Sequence, residues 1–289
     1  MIKEDIHIYS NDRCIACGKC IKVCPEFVLQ FTDNHKVEND PARHCVNCGQ
    51  CVCICPTGAL QHSGFPYSKV HPLVKDACPS PEQMLTLCKK RRSCRNFTQQ
   101  PVPKEDLEKI LEAGCYAPTA NNCRSFGFTV VTSPDKLKLL SDYTVKAYSK
   151  VYHLLNHAPV IALLKLLKID AVKYLPDLKE VLVQYEKGTD YILRGATAAI
   201  IISADKSDFF ARDSANLAYQ NMSLMAESLG VGQCYMGFVC SGISMDFGNH
   251  LAKTFSIKNK IYAIMALGIP TLNFHAYPER ELNLPVKWF

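Results

Sequence analysis

An α+β protein, with a small cysteine-rich module ahead of a larger helix-dominated one, is the fold class this sequence predicts. Three observations carry that reading. Nine of the 16 cysteines lie between Cys14 and Cys55, so the composition breaks near residue 65. Beyond the break, capped amphipathic stretches outnumber short apolar runs of strand type. The length, 289 residues, suits two domains at about 100–200 residues each. The expected layout is a cysteine module over residues 1–64, a proline-containing linker over 65–80 and a large domain over 81–289.

Each element has its own signal. Ser80-Pro81-Glu82-Gln83 supplies an N-cap, a proline for the first turn and a capping-box Gln, so a helix starts there. Pro103 opens a second helix with Leu107, Ile110 and Leu111 on one face and Gly114 as its stop. Ser133-Pro134 opens a third. Asp213 is expected to cap the longest, in which Leu217, Ala218, Met222, Met225 and Leu229 keep helical spacing up to Gly230. Phe128 to Val131, Ala199 to Ser203 and Tyr262 to Leu267 are short apolar runs suited to strands buried on both faces.

Hydrophobic residues at 48%, charged residues at 21% and a mean hydropathy of −0.04 exclude wholesale disorder and a rod-like chain. The apolar stretches Ala158 to Leu164 and Ala198 to Ile202 fall far short of the roughly 20 residues a membrane helix needs. Met1 to Ile6 lacks an apolar signal-peptide core, so many free cysteines point to a reducing cytoplasm rather than to a disulfide framework. Residues 1–64 hold 6 Lys+Arg against 7 Asp+Glu, so the net charge of +6 comes from the larger module.

The cysteines repeat. Cys14-x2-Cys17-x2-Cys20-x3-Cys24-Pro25 recurs 31 residues later as Cys45-x2-Cys48-x2-Cys51-x3-Cys55-Pro56. Zinc also binds paired Cys-x2-Cys motifs, but it uses two separated pairs, and a third cysteine followed by Cys-Pro has no use there. The spacing instead wraps three thiolates round a four-iron four-sulfur cube and sends the fourth to the other cube. Cys14, Cys17, Cys20 and Cys55 then hold one cluster, and Cys45, Cys48, Cys51 and Cys24 the other. Cys53 is left over and reads as a small buried residue or a neighbour of cluster sulfur. With Ile15-Ala16-Cys17-Gly18-Lys19 and Cys55-Pro56-Thr57-Gly58-Ala59, residues Ile6 to Gln61 resemble the bacterial two-cluster ferredoxins. The resemblance implies one-electron transfer at low potential, roughly −400 mV. The chemistry must come from the second module.

There, Lys89-Lys90-Arg91-Arg92-Ser93-Cys94-Arg95 is the densest positive run. It reads as a solvated helix end favoured by the dipole, or as a phosphate cradle with guanidinium forks and a hydroxyl within one turn. Nucleic acid is not expected, because no aromatic residues interleave the basic ones. Arg91-Arg92-Ser93-Cys94-Arg95-Asn96-Phe97 resembles the N-terminal motif of the flavin-dependent nitroreductases. Ala117-Pro118-Thr119-Ala120-Asn121-Asn122 resembles a second motif of theirs, although Arg124-Ser125-Phe126 departs from its usual ending. Gly230-Val231-Gly232-Gln233-Cys234-Tyr235-Met236-Gly237 after the long helix matches a third, and Leu267-Gly268-Ile269-Pro270 with Arg280 a fourth, over about Pro81 to the C-terminus.

That resemblance implies FMN as a cofactor. Its phosphate falls to Arg91, Arg92, Ser93, Arg95 and Arg280, its ring and ribityl chain to Pro118, Thr119 and Asn122, and its reactive edge to backbone groups of Tyr235, Met236 and Gly237. As bare residues, Pro118 could simply end a helix, Asn122 make a turn, and Tyr235 and Met236 fill core. No side chain is expected to act as the catalyst, since the flavin carries the chemistry. The resemblance further implies a homodimer that reduces a nitroaromatic, quinone or related small acceptor. NAD(P)H, or a ferredoxin-like carrier acting through the clusters, would be the donor. The alternative is a flavin and iron–sulfur relay between partner proteins. Residues 142–194 carry no motif; their tyrosines, and the seven cysteines beyond Cys55, are expected to pack as core.

Overall fold

The structure, a computed structural model, describes residues 6–166, 173–245, 249–280 and 285–289. The chain divides into two compact units, Met1–Pro79 with Ala120–Cys123, and Ser80–Thr119 with Arg124–Phe289.

The first unit runs β1 (Ile8–Ser10), α1 (Lys19–Val23), β2 (Leu29–Phe31), β3 (Val37–Asn39), α2 (Gln50–Ile54) and β4 (Leu60–His62). Its antiparallel sheet has the order β2-β3-β1-β4, with Tyr9 opposite Gln61 and Gln30 opposite Glu38. The 31-residue repeat is visible in the backbone. Gly18 and Gly49 precede the two short helices at φ 68° and 72°, and Ala16 and Asn47 both take left-handed φ, at 51° and 52°. Cys24 and Cys55 end those helices with nearly identical dihedrals. Ile8, Leu29, Val37, Val52 and Leu60 form the core together with the sulfurs of Cys20 and Cys51. So small a core leaves room for a bound group to contribute to folding.

The residues expected as a linker belong largely to this unit, because Phe65 and Val70 pack on its core. Phe65 lies edge-on to His62 with ring centroids 5.1 Å apart. Ala120–Cys123 also belongs here. Asn122 Nδ2 donates to the carbonyls of Val46 and Asn47 at 3.1 and 2.7 Å.

The second unit carries α3 (Pro81–Lys90), α4 (Lys104–Cys115), β5 (Phe126–Val131), α5 (Pro134–Leu155), α6 (Ala158–Leu166), α7 (Leu175–Glu186), β6 (Ala198–Ala204), α8 (Ala211–Ser228), β7 (Gly232–Tyr235), α9 (Gly237–Ser244), α10 (His250–Thr254) and β8 (Lys260–Gly268). Its sheet is antiparallel with the order β5-β6-β8-β7. Every residue of β6 is buried, which explains its unbroken apolar run. Ala199 and Ile201 face a core closed by α5, α7 and α9; Ala198, Ile200 and Ile202 face one closed by α4 and α8. Each fully buried isoleucine contributes about 1.5–3 kcal/mol of transfer free energy.

Ser80 makes the expected capping box, its Oγ accepting from Gln83 N while Gln83 Oε1 accepts from Ser80 N. Three expectations change. Gly114 lies inside α4 rather than after it, since a Cβ there would stand 2.8 Å from Met222 Sδ and Phe128 Cζ. Asp213 sits in the first turn of α8; the turn ahead of it is made by Asp208, whose Oδ1 accepts from Phe210 N. Among the described residues the longest helix is α5, at 22 residues. No described helix is long and apolar enough to cross a membrane.

Candidate functional site

Two cavities flank the helices of the first unit. One, of about 20 Å³, is lined by Cys14, Cys17, Cys20 and Cys55; the other, also of about 20 Å³, by Cys24, Cys45, Cys48 and Cys51. The structure thus brings the eight cysteines together in two sets of four, each taking its last member from the other repeat. In each set the sulfurs line the wall of a chamber, the arrangement a cube requires. Backbone amides point at them in matching places: Val28 N donates to Cys24 Sγ at 3.3 Å and Ala59 N to Cys55 Sγ at 3.2 Å.

Burial pushes the Cys51 thiol up to about 12. Burial also raises Cys20 and Cys45. At Cys55 burial is outweighed by hydrogen bonds around residues 57–60, and its thiol falls below the ordinary value. Iron binding must displace protons from the raised thiols, so loading releases acid and is favoured at higher pH. Cys53 is exposed, between Cys51 and Cys55 of the two linings, so of its two expected readings the buried one does not hold.

In the second unit the Arg91–Phe97 loop is laid along the sheet. Ser93 forms a parallel bridge with Gln233, Cys94 N donates to Gln233 O at 2.8 Å, and Phe97 pairs with Pro270. Two glycines facing each other across β7 and β8 make the seat. A Cβ at Gly232 would lie 2.8 Å from Cys94 Sγ, and one at Gly268 would lie 2.6 Å from Phe97 Cδ1. Overpacking of this kind costs about 1–3 kcal/mol.

Gln233 is a site residue that the sequence reading did not single out. It is 1% exposed; its Nε2 donates to Arg92 O at 3.0 Å, and its Oε1 accepts from Tyr219 OH at 2.6 Å. Burial raises Tyr219 well above the usual phenol range, so it stays a donor. Replacing Gln233 by Leu strands the Tyr219 hydroxyl and the Arg92 carbonyl, lowering stability by about 1–3 kcal/mol. Denaturant titration followed by circular dichroism reads that loss, and an unchanged midpoint contradicts it.

Arg95 and Arg194 both act electrostatically on the Cys234 thiol, which burial raises and their charges oppose. Arg194 is a second residue the sequence reading missed: it precedes β6 with φ 56°, in the left-handed region. Among the described residues none of Arg91, Arg92, Arg95 and Arg194 forms an ion pair with a carboxylate. Unneutralised guanidinium groups beside a serine are chemistry for an anion. The C-terminal segment returns to this run, with Arg92 over the Phe274 ring at 5.8 Å and Lys89 over Tyr277 at 5.2 Å. Arg280, three residues on, is exposed.

At the other end of β7, Tyr235 donates to Tyr262 O at 3.4 Å, and Met236 N donates to Ile264 O at 2.9 Å. Met236 is buried. Gly237 opens α9, and a Cβ there would meet nothing within 4 Å, so the backbone borders open space at the positive end of a helix. Pro118 is exposed, and Thr119 Oγ1 accepts from Arg124 N at 3.2 Å. The Asn122 amide donors serve the first unit, as described.

Of the tyrosines in residues 142–194, Tyr148 is core and hydrogen-bonds to Phe238 O and Ser241. Tyr185 instead lines a cavity of about 650 Å³ with Lys138 and Asp190. Burial and its bond to Asp142 push Tyr185 up to about 12. Of the cysteines beyond Cys55, only Cys234 is buried; Cys78, Cys88 and Cys115 are exposed, contrary to expectation.

Residues 88–269 match the Nitroreductase family, and residues 6–56 match the 4Fe-4S dicluster domain. An NADH dehydrogenase of Thermus thermophilus is 29% identical over 204 residues, covering 69% of this chain and 91% of that protein. A nitroreductase with bound FMN from Bacteroides fragilis shares the fold at a TM-score of 0.54 and 22% identity, over 71% of this chain and 99% of that one. A nitroreductase with bound FMN from Desulfitobacterium hafniense does so at 0.53 and 16%, over 71% and 97%. The chain belongs to the nitroreductase family, and it carries a 4Fe-4S dicluster domain at its N-terminus.

Proposed function

We propose that this oxidoreductase binds FMN and reduces a nitroaromatic, quinone or related small acceptor. Its electrons come from NAD(P)H or, through two 4Fe-4S clusters, from a low-potential carrier. The observation that carries the proposal is a single chain holding two four-cysteine chambers and, on the sheet of its second unit, a seated arginine loop without a carboxylate partner among the described residues. FMN, when bound, supplies hydride chemistry and also accepts electrons singly. Arg91, Arg92, Ser93, Arg95 and Arg280, joined by Arg194, hold its phosphate; Pro118, Thr119 and Tyr235 to Gly237 border its ring. The open backbone at Gly237 and the positive end of α9 suit negative charge on a reduced ring. Asn122, its amide donors already taken, is left out of that set.

Cys14, Cys17, Cys20 and Cys55 ligate one cluster, and Cys24, Cys45, Cys48 and Cys51 the other. Two single-electron deliveries match one two-electron reduction of the acceptor, with protons from water. Tyr116, Phe209 and Trp288 are exposed apolar side chains that fit a homodimer.

The test is anoxic rapid mixing of the full chain with NADH, NADPH and reduced ferredoxin in turn, followed by addition of a nitroaromatic or quinone. Turnover with at least one donor supports the reading. Flavin and clusters that fill with electrons but pass none to any small acceptor would make the chain a relay instead.

A further inference from the structure

The two cluster chambers are related by the 31-residue repeat, and their backbones match closely, so the places where they differ in side chain carry information. The sharpest difference is at the end of the third residue of each matched strand. β2 reads Leu29-Gln30-Phe31 and β4 reads Leu60-Gln61-His62. Phe31 is exposed and lies against Gly18. His62 is 4% exposed and lines the chamber of Cys24, Cys45, Cys48 and Cys51.

Both ring nitrogens of His62 are engaged. Nδ1 accepts from Gly64 N at 3.0 Å, which leaves the ring hydrogen on Nε2. Nε2 stands 3.8 Å from Cys45 Sγ, a long contact of the kind a large sulfur accepts. The same sulfur accepts from Asn47 N at 3.4 Å. Among the described residues no hydrogen bond reaches the matching sulfur of Cys14. Phe65 closes over the imidazole edge-on, so the ring is held in place and away from water.

We propose that His62 sets the two clusters apart, its Nε2–H donating to the Cys45 thiolate and raising the potential of the cluster on Cys24, Cys45, Cys48 and Cys51. This rests on the ligand assignment made above. Reduction adds one electron, from a low-potential donor, to a cluster already ligated by four thiolates, and the added charge is spread partly over their sulfurs. A donor aimed at one sulfur stabilises the reduced form more than the oxidised one, and in a buried setting that difference is large. Such an outer partner orients and tunes a metal ligand without touching iron. Other groups act on the same pair of clusters. Thr57 Oγ1 lies 3.8 Å from Cys55 Sγ in the first chamber, and Glu26 lines the second. His62 therefore shifts the potential within its own cluster, whatever the difference between the two. His62 acts through Cys45 and is a positioning residue.

The experiment compares full-length wild type, H62F and H62Q, purified anoxically. Phe stands at the matching position of the other repeat and removes the N–H donor, and Gln keeps one. Iron and sulfide are assayed first, and both midpoints are then read by electron paramagnetic resonance during titration with dithionite. In H62F one midpoint is expected to fall, lowering the reduced-to-oxidised ratio of that cluster about tenfold at fixed potential, about 59 mV for one electron. The other midpoint stays, and H62Q recovers most of the loss. Two intact clusters in H62F with both midpoints unchanged, or both shifted alike, overturn the proposal. Should H62F lose iron, wild type labelled with ¹⁵N-histidine decides: pulsed resonance shows a nitrogen coupling to one reduced cluster that H62Q removes, and its absence overturns the proposal. A wild type without two 4Fe-4S clusters overturns the ligand assignment instead, so the two failures are told apart.

Discussion

Cys55→Ala is expected to remove the 4Fe-4S cluster of the first motif, although Cys55 belongs to the second. The chamber lined by Cys14, Cys17 and Cys20 takes its fourth sulfur from Cys55, while Cys24 serves the other. Cys24→Ala should do the converse. Each variant loses one of the two reduced-cluster signals and keeps the other, and iron falls from about eight atoms per chain toward about four. The expected crossing is specific. If Cys55→Ala removed the signal that Cys45→Ala also removes, each motif would be holding its own cluster. The first unit should also lose stability, because its core includes Cys20 and Cys51 beside only a few aliphatic residues.

Arg95→Ala is expected to weaken FMN binding by about 10- to 100-fold, since a charge-assisted hydrogen bond is worth about 1.5–3 kcal/mol. Arg91→Ala should act similarly, and the double variant should lose the flavin on gel filtration while the clusters remain. The loop is anchored to the sheet through its backbone at Ser93 and Cys94, so removing either side chain leaves its seat in place. Fluorescence titration with FMN reads the affinity. Normal binding in both single variants and in the double variant would reduce the basic run to a helix end.

The cysteine repeat and the first helix of the second unit were legible because their signals are local, whereas the extent of the first unit, which takes in most of the expected linker and Ala120–Cys123, was not. Ser80-Pro81-Glu82-Gln83 carries its helix start within four residues, and the cysteine spacing marks out the eight cysteines that line the two cavities. β7 was not legible as a strand. Gly232-Gln233-Cys234-Tyr235 has no alternation or β-branched run, and it is a strand because β8 pairs with it and the arginine loop lies beside it. Gln233 was missed for the same reason. A glutamine reads as surface until Tyr219 and Arg92, distant in sequence, are found at its two ends. Gly114 was misread as a stop because a close approach to Met222 is a tertiary fact. His62 is the intermediate case. Its correspondence to Phe31 could be read by laying one repeat over the other, but its contact with Cys45 could not.

The claim that one chain unites two iron–sulfur cubes with a flavin is tested most directly by the composition of anoxically purified protein. Iron, acid-labile sulfide, zinc and flavin are measured on one sample of known protein concentration. The predicted result is about eight irons, about eight sulfides and about one FMN per chain, as two cubes and one flavin site require. Stoichiometric zinc without sulfide, or no flavin retained after incubation with excess FMN, would contradict it.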